Sequence, residues 1–172
     1  MVNFLKMDRT IQDLIAFYQL SPHPEGGYYR ETYRSPLIHP QHALPIAFSG
    51  PRHSATAIYF LLVQDSFSAF HRIQSDECWH FYEGASVDIH VLHSSGQYEL
   101  IRLGSNWRNG ERFQAMVPAG AWFASSTNGT YALVGCTVSP GFDFQDFELA
   151  TASSLSEAYP NYEALIKRYC RD

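Results

Sequence analysis

Lysine is nearly absent from this chain. Lys6 and Lys167 are the only two, and the formal net charge is −5 with histidine neutral. No basic field exists of the kind that binds a phosphate backbone, so nucleic acid is excluded as an expected partner. Cysteine is scarce too. Cys78, Cys136 and Cys170 are odd in number and far apart, and the first ten residues carry no basic stretch leading into an apolar one, so neither a disulfide framework nor a secretion signal is read. The expected compartment is the reducing cytoplasm. No apolar run approaches the roughly 18–20 residues that cross a bilayer, and a membrane partner is not expected. Charged residues make up 17% against 45% hydrophobic, which excludes a disordered chain. Also missing are a phosphate-cradling glycine loop ending in Lys-Ser or Lys-Thr, a Gly-x-Gly-x-x-Gly run, a Gly-x-Ser-x-Gly elbow and any Cys-x-x-Cys pair.

Aromatic residues are abundant, with 12 Phe, 11 Tyr and 3 Trp in 172 residues, and they favour half-buried pleated surfaces. The length suits one domain, spanning residues 1–172. Apolar residues at Ile11, Leu14, Ile15 and Tyr18 recur at helical spacing, predicting a helix over 9–20 stopped by Ser21-Pro22. A second helix is expected over 157–170, capped by Ser154 or Ser156 and holding Tyr162, Leu165, Ile166 and Tyr169 on one face. Between them, over about 26–149, the period drops to two and turn residues recur every 8–12 positions, as in an all-β sandwich or barrel. Three hairpins are predicted, turning at Gln64–Ser66, Ser94–Gly96 and Asn128-Gly129. Residues 35–53, with four prolines, read as a long loop whose His39, His42 and His53 lie at the surface.

Chemistry concentrates in residues 70–84. Strand alternation puts Ala69, His71 and Ile73 on one face and Glu77, Trp79 and Phe81 on one face of the next strand. A histidine and a carboxylate aimed into one apolar interior are costly unless they serve each other, a metal or a ligand. His80, three residues after Glu77, faces the other way unless a bulge reverses it, and is kept as a reserve acid. His90 and His93 lie beside the inward set Val87, Ile89 and Val91 and read as hydrogen-bonded structural residues. Cys78 reads as a structural thiol.

The spacing of His71, Ile73, Glu77 and Gly84 resembles the first motif of the cupin superfamily, with Ile73 where a second histidine stands. Pro118-Ala119-Gly120-Ala121-Trp122-Phe123, with Thr127 four residues on, resembles the second motif, with Phe123 at its histidine position and Thr127 at its asparagine position. With Glu25-Gly26-Gly27-Tyr28-Tyr29-Arg30 and Pro140-Gly141-Phe142-Asp143-Phe144, the chain is similar over nearly its whole length to a branch of single-domain cupins without an assigned activity. The resemblance implies a double-stranded β-helix, or jelly roll, with a central cavity and a homodimeric assembly. Only His71 and Glu77 survive of the four metal-ligand positions, so at most a weakly held divalent ion is expected, and no cofactor is assigned.

Two functions of different class follow. The first is binding of a small polar ligand, sugar or nucleotide-like, without turnover, with Trp79, Phe81, Gln114, Trp122, Phe123 and Arg30 as candidate contacts. The second is a metal-independent epimerase or isomerase of the kind the nucleotide-sugar epimerases of this fold perform, with His71 as base, Glu77 orienting it and His80 in reserve. Arg30, Arg52 and Arg72 are its candidate anion contacts, though Arg72 lies opposite His71 in the strand. A metal-dependent oxygenase lacks the ligands it needs.

Overall fold

The computed structural model describes residues 4–171 and shows two antiparallel sheets packed face to face, with helices on both outer surfaces. Helix α1 (Phe4–Tyr18) starts earlier than the periodicity suggested. Its stop is also different. Gln19 turns left-handed (φ 52°), its N–H donates to the Ala16 carbonyl, and the Leu20 N–H donates to that of Ile15 at 2.9 Å. That double closure satisfies the last carbonyls before Ser21-Pro22 is reached. Ile11, Leu14, Ile15 and Tyr18 bury against Leu61 and Leu133 on the outside of the first sheet.

That sheet orders its strands β1 (Ser21–Pro22), β2 (Tyr28–Arg34), β5 (Thr56–Val63), β12 (Tyr131–Ser139), β7 (Asp76–Gly84) and β10 (Gln114–Val117). The second sheet runs β13 (Glu148–Leu149), β6 (Ser68–Arg72), β11 (Trp122–Thr127), β8 (Val87–Leu92) and β9 (Tyr98–Leu103). A ribbon of β3 (Ile38–His39) and β4 (Arg52–His53) gives the predicted 35–53 loop some order. There His39 and His53 are half-buried and hydrogen-bonded to Ser54 and Ser35, and only His42 is exposed.

Of the three predicted hairpins, one forms: β8 and β9 pair from Val87↔Leu103 to Leu92↔Tyr98. The turns at Gln64–Ser66 and Asn128-Gly129 instead carry the chain from one sheet to the other. The Asn128 N–H donates to Ser86 O, and a side chain at Gly129 would collide with Ala85, so this turn packs on the neighbouring β7–β8 connection. Turn residues mark a reversal without choosing the partner strand.

The interior between the sheets is hydrocarbon over much of its depth, with Phe60, Leu62, Trp79, Val87, Ile89, Val91, Leu103, Phe123 and Val134 all almost wholly buried. The predicted C-terminal helix is two helices, α2 (Ala152–Ala158) and α3 (Glu163–Tyr169), because Pro160 forces Tyr159 out of helical geometry (φ −132°, ψ 64°). Thr151, not Ser154 or Ser156, caps the first, accepting from the Ser154 N–H. Both helices cover Phe70, Leu92 and Ala124 on the outside of the second sheet. Among the described residues, no helix is long and apolar enough to cross a membrane.

Candidate functional site

At one end the sheets part around a cavity of about 480 Å³. His71 reaches it from β6 and Glu77 from β7, as strand alternation predicts, and both are almost completely buried. Two further polar groups come from the loop between β1 and β2. Glu25 and His23 are delivered there by a turn in which Gly26 has a φ of 112° and its Cα lies so close to Phe67 that a Cβ would sit 2.1 Å from that carbonyl oxygen. The Ala69 N–H donates to the Glu25 carbonyl at 2.8 Å, locking the loop to β6.

Hydrogen bonding fixes the state of His71. Its Nδ1–H donates to the Ala69 carbonyl (2.8 Å), so in the neutral ring Nε2 carries the lone pair, and that atom faces Glu25 Oε2 at 3.2 Å. A lone pair and a carboxylate oxygen cannot meet at that distance without a proton between them. Glu25 Oε2 also lies 3.3 Å from His23 Nδ1, while Oε1 accepts from Ser68 Oγ at 2.8 Å. One carboxyl thus bridges two imidazoles and holds or hands over the proton they compete for.

Burial sets the protonation levels. It lowers both imidazoles, His71 against the opposing pull of Glu77, and it raises Glu25. Glu77 is pushed up to about 7, chiefly by burial, with His71 pulling the other way. The Cys136 thiol hydrogen-bonds Glu77 and is driven far above its ordinary value, again by burial first. Burial thus draws the carboxyls up and the imidazoles down toward one another, which eases proton transfer between them.

The remaining predicted contacts lie elsewhere. His80 faces the outside of its sheet, where its Nδ1 accepts from Gln114 Nε2–H (3.0 Å) and its Nε2–H donates to Thr137 Oγ1 (3.0 Å). A register shift in β7 does occur, but opposite Leu133 and Val134, after His80, so it cannot turn that ring inward. Trp79 is sealed in the packed core and Phe81 is partly buried against it. Phe123 is also buried, its ring 4.0 Å from that of His71. Trp122 lies outside the second sheet under the Arg72 guanidinium, which pairs with Glu148. Arg30 is exposed and bonded to Gln19, and Arg52 forms a two-point buried ion pair with Asp146 (2.7 and 2.6 Å). Nor does Glu77 orient His71 by a hydrogen bond; the Ala69 carbonyl and Glu25 do that. His90 bonds Tyr98.

The Cupin_5 family model, described as Cupin superfamily (DUF985), matches residues 12–150. The chain belongs to this cupin family. Among solved structures, this cupin is similar to a hypothetical protein from Leishmania major, with 37% identity, 94% of this chain and 98% of that one covered, and a TM-score of 0.83. It is similar to protein SO0799 from Shewanella oneidensis at 39% identity, covering 93% and 96% of the two chains, with a TM-score of 0.82. The uncharacterized protein YML079W of Saccharomyces cerevisiae is 33% identical over 150 residues, 80% of this chain and 73% of its own. Oxalate decarboxylase from Bacillus subtilis is similar in fold alone, at 13% identity and a TM-score of 0.53, covering 86% of this chain and 36% of its own.

Many cupins hold a metal, but the residues here do not fit one. Ile73 and Phe123 put hydrocarbon at two of the four ligand positions, and Phe123 packs directly on His71. Among the described residues no three His, Cys, Asp or Glu side chains are placed to share an ion. His23, Glu25 and Cys136, which sequence reasoning missed, join His71 and Glu77 in the cavity lining. The signal for Glu25 was present in its position immediately before two consecutive glycines, a glutamate held where only glycine lets backbones touch.

Proposed function

We propose that this cupin binds a small polar organic molecule of sugar or nucleobase size in its cavity, with His71, Glu25 and Glu77 forming the polar end of the site. The observation that supports it is the coupling of a cavity of about 480 Å³ to a buried His71–Glu25–His23 array that needs a shared proton. The diphosphate of a nucleotide-like ligand finds little provision, since Arg30, Arg52 and Arg72 all lie away from the cavity lining. Native mass spectrometry of the purified chain tests the reading. A retained organic mass that is lost in His71→Ala supports it, and a spectrum of bare protein with no small polar molecule binding in a solution screen overturns it.

A second reading, metal-independent isomerisation, is favoured by the tautomer of His71. With Nδ1–H tied to Ala69, Nε2 serves as the base once the proton shared with Glu25 rests on that carboxyl and the contact between them opens; Nε2 then takes the proton of a carbon acid and returns it to the product. Solvent deuterium entering a bound substrate, with the exchange abolished in His71→Ala, is the expected result. Exchange that survives the substitution removes His71 as the base. Cys78 and Cys136, neither of them in a disulfide, suit the cytoplasmic location we infer. We also propose a homodimer, on the family resemblance and on strand β2, whose side away from β5 is paired with β1 at Tyr28 and Tyr29 alone among the described residues. A monomer by light scattering at micromolar concentration overturns it.

A further inference from the structure

The charge of the cavity lining is lopsided. Glu25, Glu31, Glu77 and Asp143 all line it, against one arginine among the described residues, Arg34. That guanidinium is already held at two points by Glu31 (3.0 and 2.6 Å) and by the Phe142 carbonyl (3.2 Å). His23 and His71 add no fixed positive charge, because burial disfavours their protonated forms. An anionic ligand would therefore meet carboxyls with no free cation to receive it.

The two inner carboxyls are not equivalent. Glu25 has Ser68 and both imidazoles around it. Glu77 is 8% exposed, lines the cavity, and has the weakly donating Cys136 thiol as its described hydrogen-bond partner. A carboxyl offers about four acceptor positions, so most of those on Glu77 are open to whatever fills the cavity. Near the mouth stand the rings of Phe142 and Phe144, the latter half exposed. Aromatic faces favour a flat ring or a cation.

We propose that the natural ligand is a ring-bearing amine, bound as its protonated cation with the nitrogen on Glu77 and the ring among Phe142 and Phe144. The proposal rests on the cavity being a ligand site, and deepens that reading by assigning the ligand's charge. An ammonium supplies Glu77 with the donors it lacks and neutralises the lining. A carboxylate or phosphate ester does neither.

Calorimetric titration of the intact chain at pH 7 with benzylamine, benzyl alcohol and benzoate separates the charge from the ring that all three share. Benzylamine should bind tighter than benzyl alcohol by about tenfold or more, the scale of a hydrogen bond to a charged group, and benzoate should bind weakest. Benzyl alcohol or benzoate binding as tightly as benzylamine overturns the amine assignment while leaving the cavity a ligand site. Failure of all three to bind overturns the amine assignment, while the cavity reading stands or falls by the native mass spectrum and the solution screen. Glu77→Gln should reduce benzylamine to the affinity of benzyl alcohol; unchanged discrimination overturns the seat on Glu77. A measurement on the unaltered chain covers the case in which that variant does not fold. Because Glu77 titrates near 7, seating an ammonium on it should release about half a proton, read by repeating the titration in two buffers of different ionisation heat. Net proton uptake on binding overturns the seat on Glu77.

Discussion

Along β7 the inward side chains pass from Glu77 to Trp79 to Phe81 within five residues, and the interior passes from cavity to packed core. Strand β12 makes the same passage, from Val138 and Cys136 at the cavity to Val134 and Ala132 in the core. Across β6 and β11 the two regions meet side by side, where His71 is the register partner of Phe123. The packed end is stabilised by burial, about 1.5–3 kcal/mol for each large apolar side chain. The cavity end runs against that trend. Its carboxyls and imidazoles are penalised by burial and recover only part through Ser68, Ala69 and one another. The same strands therefore divide the labour, with one end holding the fold and the other free to carry chemistry.

The largest expected contrast comes from truncating one inward residue at each end of β7. Trp79→Ala should cost about 3–5 kcal/mol in urea denaturation, as large-to-small changes in packed cores do. Glu77→Gln, which keeps shape and removes a charge that burial disfavours, should cost less than about 1 kcal/mol at pH 7. Equal losses would break the division. On β4, Arg52→Ala leaves Asp146 buried without its partner, and a loss of about 3–5 kcal/mol is expected, of which Arg52→Met with Asp146→Leu should restore a large part.

A smaller effect sharpens the comparison through pH. Glu77 titrates near 7 in the folded chain against an ordinary 4.5, so between those values the native state holds more protons than the unfolded one. Stability from this group is present at low pH and is lost as pH rises through 7. His71 works in the opposite sense. Its folded value is lowered from 6.5, so its contribution grows as pH rises toward 6.5 and is constant above it. Glu77→Gln removes the first effect and leaves the second, so the variant should gain on the parent between pH 5 and pH 8 by up to about 3 kcal/mol. Paired thermal melts at the two pH values check it. A stability difference that does not move with pH would place Glu77 in contact with bulk water.

What the sequence disclosed follows the same line between local and distant information. His71, Ile73 and Glu77 were legible because strand alternation and motif spacing are short-range, and both hold in β6 and β7. The jelly roll was legible from the same motifs. Glu25 and His23 were not, since the Gly26 turn joins them to Phe67 and Ala69 more than forty positions away. Trp122 was misplaced because alternation gives two faces and does not say which one α2 and α3 will cover. Asn128-Gly129 misled for a related reason: the turn is real, but the partner of β12 is decided by burial against β5 and β7.

The smallest predicted effect tests whether the cavity end is organised by its own hydrogen bonds. Ser68 is fully buried and its hydroxyl donates to Glu25, which favours the charged carboxylate. Ser68→Ala removes that donor without removing bulk, at an expected cost of about 1–2 kcal/mol. The Glu25 carboxyl should then titrate higher, since burial already raises it and one opposing influence is gone. Carbon-detected NMR of the side-chain carboxyls reads this shift, and the His71 ring should respond with it through the 3.2 Å contact. Amide signals of β8 and β9, at the packed end, should stay where they are. If they move as much as those of β6, the two ends are mechanically coupled, and a ligand filling the cavity would stiffen the core as well.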